Sequence, residues 1–394
     1  MAEQTLPRRG TPLWLLALLT FSGTLAMHIF VPALPRAGGE LGASPSTMQL
    51  TISLYILGLA FGQLFYGPLA DRLGRRPVLM AGLVLYTLAG LGAALAPDAE
   101  ALIAARLFQA LGGCAGLVLG RAIVRDLSTG SDAARRMALM NLMVVIGPGV
   151  APLVGGLLSE AVGWRAVLWS LCGLGLTNLV LSWRLLPEPP RAAAGDAAQV
   201  LRNYLGLLRS PAFLGYALGG ACATTSMYAY VAAAPYIYVH ELGRPDVEVG
   251  IYLALLIFGI WTGSILASFL ATRIAPRRML AYGNGLSLLA AVAALGMVLA
   301  GAVTVPALVG LMFCFTFGMG VASPAAMTQA VSVDPRAVAS ASGLYGFVQM
   351  AVGALCSALA GVGSSPVLAA TIVLSVAGVV AQVSFRLAAR AREG

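Results

Sequence analysis

The stretch Gly67-Pro68-Leu69-Ala70-Asp71-Arg72-Leu73-Gly74-Arg75-Arg76-Pro77 decides how the rest of the chain is read. It places an acid and three arginines between two long apolar runs, closing one and opening the next. Gly67 and Gly74 permit close backbone approach and a tight reversal. Asp71 can pair with Arg72, Arg75 or Arg76, or face a neighbouring helix end. Such a cluster can act as a conformational latch; the plainer alternative is that its arginines merely retain a loop on one side of a membrane. The pattern returns 201 residues later as Leu270-Ala271-Thr272-Arg273-Ile274-Ala275-Pro276-Arg277-Arg278, so the chain contains two related halves. Internal repeats of this kind mark secondary transporters, with the substrate site between the repeats.

Composition agrees. Of 394 residues, 59% are hydrophobic and only 10% charged, and the mean hydropathy is +0.88. A soluble domain carries about 25% charged residues, so a soluble enzyme is excluded, as is a disordered chain. Crossing a bilayer takes about 20 apolar residues. On that scale the sequence predicts twelve transmembrane helices, at 13–35, 46–70, 78–96, 100–124, 135–159, 163–186, 212–238, 247–272, 279–299, 304–330, 337–362 and 366–388. The first follows Arg8 and Arg9, but it exceeds a signal-peptide core and no cleavage site follows. The fold class is all-α integral membrane, a bundle at 1–186 and a second at 212–394, joined by a polar linker at 187–211.

Charge sets the orientation. The chain has no lysine; its basic residues are 24 arginines. With the N-terminus inside, inner segments hold Arg8, Arg9, Arg72, Arg75, Arg76, Arg125, Arg135, Arg136, Arg273, Arg277 and Arg278, whereas Arg36, Arg165 and Arg244 lie outside. Both termini are therefore expected in the cytoplasm. The arginines form short clusters without interleaved aromatics, which excludes a nucleic-acid partner. Cys114, Cys172, Cys222, Cys314 and Cys356 sit singly in apolar runs, and His28 and His240 are the only histidines; no metal site or cofactor is expected.

Further strings extend the pattern: Gly62-Gln63-Leu64-Phe65-Tyr66, Arg106-Leu107-Phe108-Gln109-Ala110-Leu111-Gly112-Gly113, Arg121-Ala122-Ile123-Val124-Arg125-Asp126-Leu127 and Ala151-Pro152-Leu153-Val154-Gly155-Gly156. Together with the opening stretch they resemble the major facilitator superfamily and, within it, the Bcr/CflA drug:proton antiporters, which include bicyclomycin and chloramphenicol exporters. The resemblance spans essentially the whole membrane region and is dense in the first half. It implies a major facilitator fold of two pseudo-symmetric six-helix bundles that alternate in access to a midplane cavity. It implies a latch formed by Gly67, Asp71, Arg72, Gly74, Arg75, Arg76, Arg125 and Asp126. It implies an exporter motif at Pro148, Pro152, Gly155 and Gly156, with Ala151 standing where many relatives have glycine. It links Arg106 to proton exchange; a central charge costs at least about 2.5–3.5 kcal/mol, although Arg106 could also snorkel to the outer interface. Glycines at four-residue spacing, such as Gly112, Gly116 and Gly120, favour close helix packing.

One position departs from the family. The first helix of these antiporters usually carries an acid, and here His28 stands in its place, in His28-Ile29-Phe30-Val31-Pro32-Ala33-Leu34-Pro35. All acids fall at or beyond helix ends. Either His28 carries the proton, since imidazole titrates near pH 6.5, or it is a hydrogen-bonded polar residue lining the substrate path, or an end-lying acid such as Asp126 serves. Protonation would couple to Arg106 if both share the cavity. Tyr55, Gln63, Gln109, Asn141, Tyr228, Tyr236, Trp261 and Gln349 are candidates for lining that cavity, alongside packing or interfacial anchoring; their polar tips suit an uncharged or weakly polar ligand. The expected activity is export of small amphipathic molecules, with a small-molecule substrate, protons and the lipid bilayer as partners, by a functional monomer in a bacterial inner membrane. A dedicated exporter of an endogenous metabolite, such as a siderophore, is the alternative. An enzyme is not expected, because no nucleophile–base set emerges.

Overall fold

The chain is helical almost throughout in a computed structural model that describes residues 12–127, 130–187, 197–271, 273–334, 337–363 and 365–393. The first crossing is α1 (Leu13–His28), a 3-10 turn (Val31–Ala33) and α2 (Leu34–Leu41). Pro32 and Pro35 cause the break, since neither can donate to the helical ladder. Then follow α3 (Pro45–Leu73), α4 (Arg75–Ala94), α5 (Ala99–Leu127), α6 (Gly130–Ala161) and α7 (Trp164–Leu185). The second half holds α9 (Pro211–Thr225) with α10 (Met227–Pro235), α11 (Asp246–Leu270), α12 (Pro276–Leu299), α13 (Val305–Val331), α14 (Val338–Leu359) and α15 (Pro366–Glu393). Ten of these crossings, the first with its 3-10 break included, are long and apolar enough to span a bilayer among the described residues. The other two are α6, of 32 residues, and the interrupted run α9–α10, which ends in a π-helical turn at Tyr236–Glu241.

The expected crossings are all present, most within a few residues of their predicted bounds. The linker differs. It contains a helix, α8 (Ala197–Arg209), hidden in the sequence by the prolines and glycine that precede it. The seventh crossing also breaks at Ser226, where no proline stands. Thr224 and Thr225 turn their hydroxyls onto the carbonyls of Gly220 and Ala221, and Thr225 also reaches the carbonyl of Gln349 at 2.7 Å. Side-chain bonds of this kind compete with the ladder and bend helices.

Helices pack within each half: α5 against α1, α3 and α4, and α13 against α9, α11 and α12. Between halves, α3 lies along α14, α6 along α11, and the 3-10 turn touches α10 and α11. The reversal after α3 is made by Gly74, whose φ of 98° suits only glycine. Gly67 does not play the close-packing part expected of it, since a Cβ there would meet nothing within 4 Å. Gly116 does: a Cβ on it would stand 2.5 Å from the carbonyl oxygen of Leu19, so its absence lets α1 and α5 touch backbone to backbone.

Gly116→Val is therefore expected to force α1 and α5 apart and cost about 1–3 kcal/mol. Gly173→Ala, at an exposed site with open space around it, should leave stability unchanged or slightly raised. Thermal midpoints of the purified protein in detergent, compared for the two variants, check this.

Candidate functional site between the two halves

Breaking the first helix has a chemical consequence. The last carbonyls of a helix have no partner within it, and that of Ala26 is left open where the chain turns toward Pro32. Arg106 of α5 fills the vacancy. Its Nη2 donates to the Ala26 carbonyl at 2.7 Å, and its Nη1 to Oε1 of Gln109 at 2.6 Å. The guanidinium lies 4.2 Å from the centre of the Tyr55 ring and 5.4 Å from that of Phe30. Tyr55 is itself fixed by donating to the carbonyl of Gly23 at 3.2 Å. The arginine is fully buried, so it does not snorkel to an interface. Burying a cation costs several kcal/mol, here offset by two charge-assisted hydrogen bonds and two aromatic faces, each face worth about 2 kcal/mol when desolvated. Among the described residues no carboxylate pairs with it.

His28 faces elsewhere. Its Nδ1 lies 3.0 Å from the carbonyl of Thr24. A carbonyl only accepts, so Nδ1 carries the hydrogen, and in the neutral ring Nε2 is a bare lone pair. That Nε2 is buried without a partner. The ring stands 6.1 Å from that of Tyr228 on α10. His28 lines a cavity of ≈ 10 Å³ with Pro148, Pro152, Met227, Val231, Leu253, Leu256 and Ile257, room for about one water. These residues come from α1, α6, α10 and α11, hence from both halves. His28 and Arg106 share no hydrogen bond, and Arg106 is not among the residues lining the His28 cavity. The condition for their coupling, a cavity shared by both, is therefore not met in this arrangement.

The motif residues of α6 lie beside His28. Pro148 and Pro152 line its cavity, and Gly156 is buried. Gly155 meets the carbonyl of Ile29 so closely that a Cβ would overlap it, and the carbonyl oxygen of Pro152 lies 2.9 Å from where a Cβ on Gly250 would be. α6 is thus wedged between α1 and α11 at this level. In the loop cluster, Asp71 pairs with Arg75 at 3.1 Å and Arg76 donates to the carbonyl of Trp183 at 2.8 Å; Arg72 is exposed at the end of α3. The side chains of Arg125, Asp126 and Asn141 lie outside the described residues.

The remaining candidates divide. Tyr55 and Gln109 belong to the Arg106 cluster, and none of the described cavity candidates is among the residues lining the small His28 cavity. Tyr228 and Trp261 are at the seam, with the Trp261 ring 3.8 Å from a Cβ placed on Gly149. Gln349 donates to Thr224 Oγ1 at 2.8 Å, which ties it to the break in the seventh crossing. Gln63 packs against Gly346 of α14, and Tyr236 stacks on His240 with ring centres 5.7 Å apart. Sequence reasoning missed the hydrogen bond from Ser53 to Ser357, 3.0 Å across the halves, and the apolar lining of Met227, Val231, Leu253, Leu256 and Ile257. Small hydroxyl and aliphatic residues carry no signal that separates a seam from ordinary helix packing.

Comparison with known proteins agrees with this fold. The chain is 26% identical over 347 residues to a bicyclomycin resistance protein homolog of Haemophilus influenzae, covering 87% of each. It is 40% identical over 167 residues to a chloramphenicol resistance protein of Pseudomonas aeruginosa, covering 42% of this chain and 40% of that one. Its fold resembles that of a bacterial homolog of the human lysosomal transporter Spinster, solved inward-facing and unoccupied, with a TM-score of 0.76 at 17% identity and 99% of each chain covered. The Major Facilitator Superfamily profile matches residues 16–357. The chain is a multi-pass membrane transporter and belongs to the Major Facilitator Superfamily.

Proposed function

We propose that this transporter exports small, uncharged or weakly polar amphipathic molecules across the bacterial inner membrane and exchanges them for protons by alternating access. The observation that carries the reading is the orphaned Nε2 of His28, held at the seam by helices of both halves and beside the two prolines of the exporter motif. In the neutral ring it accepts a hydrogen bond from a substrate hydroxyl or amide N–H; protonated, it becomes a donor and a cation and can no longer accept that bond. The same atom therefore serves substrate and proton in turn, as an exchanger requires. Relatives named for bicyclomycin and chloramphenicol resistance support drug efflux as the activity.

In this reading the bundles are 1–186 and 212–394 with 187–211 as linker, both termini are cytoplasmic, and the monomer is the functional unit. The Asp71–Arg75 pair and Arg76 form part of the inner latch, with Gly67, Arg72, Gly74, Arg125 and Asp126 completing it. Tyr228, Trp261 and Gln349 offer the substrate polar tips. Tyr236 and Gln63 flank the path toward its two ends. Arg106 acts from inside the first bundle, where it fixes the broken first helix that presents His28.

In an efflux-deficient bacterium, the chain is expected to raise tolerance to chloramphenicol and to other neutral amphipathic antibiotics several-fold. His28→Ala should remove that gain at matched expression. No gain from well-inserted wild-type protein would overturn drug export and favour a dedicated metabolite exporter. Arg106→Lys is expected to lose the fork that spans Ala26 and Gln109, to destabilise the protein by about 1.5–3 kcal/mol, and to lower transport with it. A thermal midpoint equal to wild type would contradict this role.

A further inference from the structure

α8 presents four distinct faces. At about 100° per residue, Tyr204 and Leu207 share one side. Leu207 is buried in a core with Phe213 and Tyr216, Tyr204 packs against it, and the Tyr204 hydroxyl lies 3.4 Å from where a Cβ on Gly343 of α14 would stand. That side is docked on α9 and α14. Leu201, Leu205 and Leu208 fall within about 60° of one another on the adjacent side and are 59%, 47% and 45% exposed. Beyond them, about 80–100° from Leu201, come Arg202 and Arg209, both exposed. The last side is polar: Gln199 donates to Asn203 at 2.8 Å and accepts from Arg202 at 2.9 Å.

The order docked, apolar, cationic, polar is that of a helix lying in a membrane interface. The position agrees. α8 is followed after one residue by α9, whose first turn is capped by Ser210 accepting from the Phe213 amide at 3.3 Å. It therefore sits at the end of the bundle where α9 starts, the end that also carries Arg75, Arg76, Arg277 and Arg278. Exposed Trp14 and Trp183 at this end form the aromatic belt that marks headgroup level.

We propose that α8 is an anionic-lipid binding element: its three leucines enter the leaflet, and Arg202 and Arg209 hold headgroup phosphates at its border. Since α8 is docked on α14 and linked directly to α9, lipid on its outer side braces the linker against the second half. Charge complementarity selects the occupant, because the two arginines border the apolar face with positive charge at the level where anionic headgroups lie. The proposal concerns the same end that the proposed orientation places in the cytoplasm, but it does not depend on which molecule is transported.

The test uses the full chain with its native cysteines replaced, reconstituted in symmetric vesicles, so that the outcome does not depend on orientation. A fluorophore is attached at Leu205→Cys, with Leu208→Cys as a second apolar-face probe should the first disturb folding, and at Asn203→Cys on the polar face. The apolar-face labels are expected to be quenched by acyl-brominated lipid and shielded from aqueous iodide, and the label at residue 203 the reverse. Brominated phosphatidylglycerol should quench at least about two-fold more than brominated phosphatidylcholine, and Arg202→Gln with Arg209→Gln should remove that preference. Iodide access at 205 and 208 equal to that at 203 overturns the proposal. So does wild-type quenching that is the same for both lipids.

Discussion

The guanidinium of Arg106 is the interaction on which the geometry of the seam rests. A cation buried among helices must be held by something, and here the holders are uncharged: the Ala26 carbonyl, Gln109, and the faces of Tyr55 and Phe30. The carbonyl is available only because Pro32 stops the first helix early. Arg106 in turn fixes that break in place. With the helix ending at His28, the imidazole is delivered to the boundary between the halves. One proline, one arginine and one histidine thus form a chain of cause. The rest of the first bundle, including the backbone contact at Gly116, holds α1 and α5 close enough for it to work.

The seam itself is nearly full. Pro148 and Pro152 stand within α6 beside His28, and Gly155 lets α6 press on the carbonyl of Ile29. The space left is ≈ 10 Å³, so a drug-sized ligand requires the halves to separate. The hydrogen bond between Ser53 and Ser357 and the packing of Pro152 on Gly250 are among the contacts such a movement must exchange. In the proposed exchange, the charge state of His28 would act at the contact between the halves, since the ring borders helices of both.

Much of the architecture was legible in the sequence. A span of about 20 apolar residues is a strong signal because the bilayer imposes it, and Gly74 announced its own turn. α8 was not legible, since a short amphipathic helix after Pro187, Pro189, Pro190 and Gly195 looks like loop. Nor was the break at Ser226, which depends on Thr225 meeting the Gln349 carbonyl from another helix. At the site, the charges of Arg106 and His28 stood out in an apolar background. Their separation did not, because it depends on a carbonyl released by a helix end, and backbone atoms leave no trace in a string of residues. Tyr55 and Gln109 were placed on the substrate path for the same reason: their polarity was visible, their direction was not.

Proton movement tests the central claim most directly. Purified wild-type protein and His28→Gln would be reconstituted in vesicles holding a pH-sensitive dye, and a compound to which the transporter confers tolerance would be added on one side. Wild type should move protons against the flow of the compound. The variant should still pass the compound down its gradient, with no accompanying proton movement. Proton exchange at the wild-type rate in His28→Gln would contradict the account, as would substrate flux through the wild type with no proton movement at all.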